Sequence, residues 1–138
     1  MRVEVRALIV RDGKVVVNEE RRHGRPRLSL PGGRVERWES TEQALIREVH
    51  EELGIDVTCG AFVCAFEVVQ RFKIQDLNLV FAADLTHPDD VSTLRLVDPK
   101  DPDEQVFPPV LSSIWDAPTN ANGHWLGNIW RHDLRPPD

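Results

Sequence analysis

"REVHEELGI", Arg47 to Ile55, places Glu48, Glu51 and Glu52 in the last turns of a segment that reads as a helix. The C-terminal end of a helix carries the negative pole of the macrodipole, and acids there are disfavoured by ~0.3–1 kcal/mol each. Glu48 and Glu52 also form a like-charged i,i+4 pair, unfavourable by roughly 0.2–0.5 kcal/mol. Folding alone would select Lys or Arg at these positions. The helix itself is well bracketed. Ser40-Thr41-Glu42-Gln43 matches a capping box, and Gly54-Ile55 matches a helix stop with a hydrophobic residue just beyond, which predicts a helix over Thr41–Leu53. With Glu48 at zero on a wheel of about 100° per residue, Leu45, Ile46, Val49 and Leu53 fall at roughly 60–160° and form the buried stripe. Glu51 lies near about −60° and Glu52 near about +40° on the same count, so the three carboxylates share the face beside that stripe. Glu52 is nearest the core edge and is expected to be the least solvated.

Carboxylates clustered at a core rim raise one another's pKa unless a cation neutralises them. Hard oxygen donors of this kind suit Mg²⁺ or Mn²⁺ and not zinc. The zinc patterns are absent: position 54 is Gly54, where H-E-x-x-H would need a second His, and there is no C-x-x-C. Taken alone, the nine residues read as a solvated acidic helix end.

They do not stand alone. Gly33 to Ile55 reads "GRVERWESTEQALIREVHEELGI". Gly33, five residues, Glu39, seven residues, then Arg47-Glu48-Val49-x-Glu51-Glu52-x-Gly54-Ile55 resembles the complete box of the Nudix hydrolase family, and "LSLPGG" (Leu28–Gly33) resembles its usual lead-in. So long a gapped pattern is far more specific than a lone G-x-G-x-x-G. The resemblance implies an α/β fold, an α/β/α sandwich with a mixed β-sheet, formed by a single domain over 1–138. It implies that Glu48, Glu51 and Glu52 ligate Mg²⁺, or Mn²⁺, with the backbone carbonyl of Gly32 completing the shell. Arg47 matches the arginine that orients these acids, and Glu39 the loop glutamate that supports the turn. Without Cβ, Gly32 and Gly33 let the backbone turn tightly enough to present a carbonyl to an ion. One position departs from the family's habit: Trp38 stands where Gly or another small residue is common.

The reaction implied is hydrolysis of a diphosphate bond in a nucleoside diphosphate derivative, a (deoxy)nucleoside triphosphate being one candidate. Glu48 is one candidate base. Glu104 or Asp103 in "DPDEQ" (Asp101–Gln105) is another, although that stretch reads first as a solvated turn. Two other readings are a non-catalytic nucleotide sensor and a protein-interaction module on the same fold. A sensor would be expected to lose metal carboxylates, and this chain keeps them all.

Outside the box, Val3, Val5, Ala7 and Ile9 alternate with Glu4 and Arg6, which is strand periodicity. Asp12-Gly13 reads as a hairpin turn and Val15–Asn18 as the returning strand. Residues 19–27, "EERRHGRPR", read as a basic loop. Arg21, Arg22, Arg25 and Arg27 in it are candidate phosphate contacts. Val57–Val69 reads as a buried strand with Leu77–Leu85 as its hairpin partner. Every proline except Pro26 and Pro31 falls after residue 86, so the second half is expected to be loop-rich. Thr93–Val97 and Val110–Trp115 read as short strands there, and Trp125, Leu126, Ile129 and Trp130 as one face of a C-terminal helix. Phe72 and Trp115 are the candidates for stacking on a base.

With 138 residues, 41% hydrophobic and 29% charged, the chain has the size and composition of one soluble domain. A net charge of −6 argues against a nucleic acid or membrane as partner, while leaving open an anionic small molecule that brings cations with it. The expected partner is a small nucleotide; a homodimer is left open. Cys59 and Cys64 read as unpaired thiols. "MRVEVRALIV" is a strand and not a signal peptide, and a cytoplasmic location is the default.

Overall fold

The computed structural model describes residues 1–109 and 124–129. The elements run β1 (Arg2–Leu8), β2 (Val10–Arg11), β3 (Lys14–Arg22), β4 (Arg25–Ser29), β5 (Gly32–Arg34), α1 (Thr41–Leu53), β6 (Val57–Gln70) and β7 (Ile74–Leu85). A 3-10 segment, Pro88–Thr93, precedes β8 (Arg95–Val97), β9 (Val106–Phe107) and β10 (His124–Asn128).

The α/β class and the mixed sheet agree with the sequence reading. One five-stranded sheet has the order β10-β6-β7-β1-β5, with β1 parallel to β7 and antiparallel to β5. A second sheet, β2-β3-β4-β9 with β8 on β3, covers one face of the first. The helix covers the other face. Ala44, Leu45 and Val49 are fully buried against Val5, Ala7 and Ile9 of the first sheet and its neighbours. Between the sheets, Val15, Val17, Leu28 and Leu30 pack against Cys64, Phe66, Val68 and Val80. Both faces of β1 are therefore covered.

The helix begins and ends where its caps place it. The Ser40 hydroxyl accepts from the Gln43 N–H (3.1 Å), and the Gln43 side chain accepts from the Ser40 N–H (2.9 Å). Gly54, at φ 68°, closes the other end by donating its N–H to the His50 carbonyl.

Three segments differ from expectation. The basic stretch at 19–27 is the tip of a hairpin: β3 continues to Arg22, and β4 returns from Arg25 through His23 and Gly24 at φ 52° and 77°. Glu19, Glu20, Arg21, Arg25 and Pro26 are all exposed there, so no buried face imprints an apolar alternation. Trp125 and its neighbours form a strand, with His124 and Trp125 paired to Cys64 and Ala65 of β6. Gly127 sits at φ 72°, which interrupts a helix, while the open edge of β6 offers backbone partners such as the Ile129 N–H to Glu67 carbonyl bond (2.9 Å). In the third segment, β8 starts only at Arg95, because Thr93 ends the 3-10 segment. Val110–Trp115 lies outside the described residues. Cys59 and Cys64 are both free, and burial pushes the Cys64 thiol up to about 12.

Leu45 anchors the helix to the sheet with no exposed surface. Leu45→Ala should lower the unfolding free energy by about 2–5 kcal/mol in urea titrations. A loss under about 1 kcal/mol would mean that the helix docks without this contact.

Candidate active site

The last turns of α1 are organised by one guanidinium. Arg47 donates Nε to Glu39 Oε2 (2.7 Å) and Nη2 to Glu39 Oε1 (2.9 Å), a bidentate pair. Its Nη1 donates to Glu48 Oε1 (3.0 Å) and to both oxygens of Glu51 (3.3 and 3.2 Å). Nη2 also donates to the Arg34 carbonyl (3.0 Å), so the strand after the glycines is tied to the same group. Glu39 accepts in addition from the Glu36 N–H (3.0 Å), which closes the loop before the helix. Charge-assisted bonds of this kind are short and directional.

Glu52 stands apart from Arg47. Its Oε2 accepts from the Gly32 N–H (3.1 Å), and burial raises its pKa to about 7, as its place at the core edge suggested. Gly33 faces Glu48 closely: a Cβ there would fall 2.6 Å from the Glu48 carboxyl carbon. Any side chain at position 33 would push that carboxylate away. At Gly32, a Cβ would run into the Val5 carbonyl, and its φ of 153° is one that L side chains rarely adopt.

Among the described residues, no three His, Cys, Asp or Glu side chains already stand as a metal-binding group. The geometry shows why: Glu48 and Glu51 turn to Arg47, and Glu52 turns to Gly32. The donor set nevertheless fits a hard divalent cation. Three carboxylates lie on one helix face: Glu48 and Glu51 share a single guanidinium nitrogen, the third, Glu52, accepts from the Gly32 N–H, and Gly33 leaves its side-chain-free backbone against Glu48.

Comparison with known proteins places this geometry. A model of the NUDIX domain matches residues 1–121, which take in every described element except β10. The chain belongs to the NUDIX family. It is 41% identical over 70 residues to a CTP pyrophosphohydrolase of Escherichia coli (strain K12), covering 46% of this chain and 48% of that protein. It is 64% identical over 29 residues to an 8-oxo-dGTP diphosphatase of Proteus vulgaris, covering 21% of this chain and 26% of that protein. The crystal structure of a MutT NUDIX hydrolase from Burkholderia pseudomallei matches with a TM-score of 0.64 at 25% identity, over 82% of this chain and 95% of that one. The chain spans about half or less of the length of the curated relatives it matches.

Around this NUDIX helix, the other expected residues scatter. Arg27 lies beside Phe107 of the neighbouring strand, with its guanidinium carbon 5.8 Å from the Phe107 ring centre. Arg21 is exposed at the hairpin tip, donating to the Gly24 carbonyl (3.4 Å), and Arg22 pairs with Arg25 at the end of the ladder. Glu104 is bound by Arg95 (3.3 Å), which also holds Glu19, and among the described residues none of its bonds reaches the helix. Phe72 is 93% exposed in the β6–β7 turn beside Arg71. The turn follows Gln70 and leads into Ile74, six residues along β7 from Val80, the residue level with Arg6 and Gly32; that is roughly 20 Å of strand. Trp115 lies outside the described residues. Trp38 is exposed, with Arg37 against its ring (5.1 Å).

Sequence reasoning missed Arg6, Asn78 and Phe107. Arg6 donates to Asn78 Oδ1 (3.2 Å) and to the Leu30 carbonyl (3.0 Å), and lies 4.9 Å from the Phe107 ring centre. Its position in the polar phase of β1 suggested solvent. The available signal was a charge in mid-strand in a sheet with both faces covered.

Two carboxylates give the metal-free protein opposite pH slopes. The Arg47 hydrogen bond, followed by the Glu36 N–H, holds Glu39 down at about 2. Its contribution to stability is complete above about pH 4.5 and is lost as the pH falls toward 2. Burial is the main cause of the rise at Glu52, so the folded protein keeps a proton there between about pH 4.5 and 7 that the unfolded chain has released. Stability should therefore fall as the pH rises through that window, and the slope should vanish in Glu52→Gln. Urea midpoints measured in chelator across this range will show it; a wild-type curve as flat as the variant's would mean that Glu52 is solvated.

Proposed function

We propose that this chain is a divalent-metal-dependent hydrolase of a diphosphate bond in a nucleoside diphosphate derivative, with nucleoside and deoxynucleoside triphosphates the first substrates to test. The observation that carries this reading is the complete carboxylate face of α1, organised by Arg47 and closed against Gly32 and Gly33. The named activities of the Escherichia coli and Proteus vulgaris relatives, both on nucleoside triphosphates, support the substrate class.

Glu48, Glu51, Glu52 and the Gly32 carbonyl are the groups proposed to hold Mg²⁺ or Mn²⁺. Bound there, the cation would neutralise phosphate oxygens and lower the pKa of an attacking water. Arg47 orients Glu48 and Glu51, and Glu39 fixes Arg47 in turn. A carboxylate of this face accepts the proton of the water, with Glu48 the first candidate. Arg27, beside Phe107, is the arginine proposed to meet phosphate. Among the described residues no helix is long and apolar enough to cross a membrane.

The test is hydrolysis of a panel of nucleoside triphosphates, nucleotide sugars, ADP-ribose and dinucleoside polyphosphates, with and without Mg²⁺ or Mn²⁺. Glu52→Gln should abolish metal-dependent turnover while leaving the fold intact, since the Gln carboxamide oxygen can still accept from Gly32. Activity near the wild-type rate in that variant would remove Glu52 from the metal site. Divalent cations should also raise the melting temperature, because they bind only the folded cluster, and the rise should shrink in Glu48→Gln and Glu51→Gln. No turnover of any substrate together with an unmoved melting temperature would favour a sensor.

A further inference from the structure

The chain passes from the second sheet to the first through Leu30 and Pro31, between β4 and β5. This crossing delivers Gly32 to Glu52. We propose that Arg6 is a positioning residue of the active site: its guanidinium fixes the Leu30–Gly32 crossing and so sets the backbone that faces the helix carboxylates. The proposal rests on the reading of that face as a divalent-metal site.

Arg6 lies opposite Gly32 in the β1–β5 register, and its side chain is only 12% exposed. A guanidinium so placed needs acceptors for its donors. Its Nη1 takes the Leu30 carbonyl (3.0 Å), its Nε the Asn78 oxygen (3.2 Å) and its Nη2 a Glu4 oxygen (3.3 Å). The crossing is held at each peptide: the Leu30 N–H donates to the Phe107 carbonyl (2.9 Å), the Pro31 carbonyl accepts from the Ala7 N–H (2.8 Å), and the Gly32 N–H donates to Glu52 (3.1 Å). Arg6 supplies the side-chain clamp in this set. The charge of Arg6 also reaches Glu52, where it opposes the larger effect of burial.

Asn78 is the independent sign. It is fully buried, and among the described residues its Nδ2 has no hydrogen-bond partner. An apolar residue of similar size would avoid that orphan donor. What the carboxamide provides is the oxygen that holds Arg6 Nε. Arg2, on the same face of the same strand, offers a contrast. It makes a bidentate pair with Asp76 (2.8 and 3.1 Å), is 46% exposed at its side chain, and has no bond to the crossing.

Mn²⁺ affinity of the full chain, read from the electron paramagnetic resonance signal of free Mn²⁺, separates positioning from general stability. Arg6→Met and Asn78→Leu should weaken Mn²⁺ binding by on the order of 10–100-fold, as loss of a residue supporting metal ligands does elsewhere. Arg6→Lys should recover part of this, since it keeps the charge but not the fork. Arg2→Met should lower the melting temperature and leave Mn²⁺ affinity at the wild-type value. Should Arg6→Met fail to fold, Arg6→Lys and Asn78→Leu carry the comparison. Wild-type affinity in the Arg6 and Asn78 variants would overturn the proposal, and so would an equal loss in Arg2→Met. A wild-type protein that binds no Mn²⁺ would instead overturn the metal reading, and the positioning role with it.

Discussion

Of the three carboxylates at the negative end of one helix, Glu48 and Glu51 are held there by a single arginine. Arg47 directs its guanidinium donors at Glu39, Glu48, Glu51 and the Arg34 carbonyl. The fork geometry matters as much as the charge. A lysine could meet one or two of these acceptors as a point charge, but it has no planar pair of N–H groups to grip Glu39 from both oxygens. The 34–39 loop, the start of the helix and the carboxylate face are therefore one electrostatic unit. Remove the cation at its centre and like charges are left facing one another at the wrong pole of the dipole.

The rest of the fold brings backbone to that unit. Ala44, Leu45 and Val49 fix the helix on the first sheet, and β5 lies at that sheet's edge beneath its last turns. The approach is close enough that a side chain at position 33 would displace the Glu48 carboxylate. The second sheet contributes from the far side, through the crossing at Leu30 and Pro31. Neither sheet alone would make the site, because β5 starts where the path through the second sheet ends.

What could be read from the sequence was what is encoded locally. The capping box, the Gly54 stop and the apolar stripe place α1 at Thr41–Leu53, and the carboxylate face follows from helical period alone. The box itself is a contiguous pattern. Features that depend on pairing between distant segments were not legible. Arg6 belongs to a polar phase that usually faces water, and only the docking of the second sheet turns it inward. The Trp125 segment has apolar residues that suit a helix face, but a free edge on β6 recruits it as a strand. Phe72 has the chemistry of a stacking ring, yet the hairpin carries it to the remote end of the sheet.

The site has neighbours of opposite charge. On one side stands the carboxylate face of α1; on the other, the Phe107 ring lies near guanidiniums from both sheets, Arg6 at 4.9 Å and Arg27 at 5.8 Å. A polyphosphate approaching the acidic face alone would be repelled, as the net charge of −6 already suggests for the molecule as a whole. Only with divalent cations on that face does its sign suit an anionic chain. In the proposed reaction the metal requirement is thus also a condition for binding: the carboxylates discriminate against an anionic substrate until the ion arrives. In that reading the chemistry sits on the helix, and selection falls to residues outside the box. This division explains why a complete box defines the reaction class while saying little about the base.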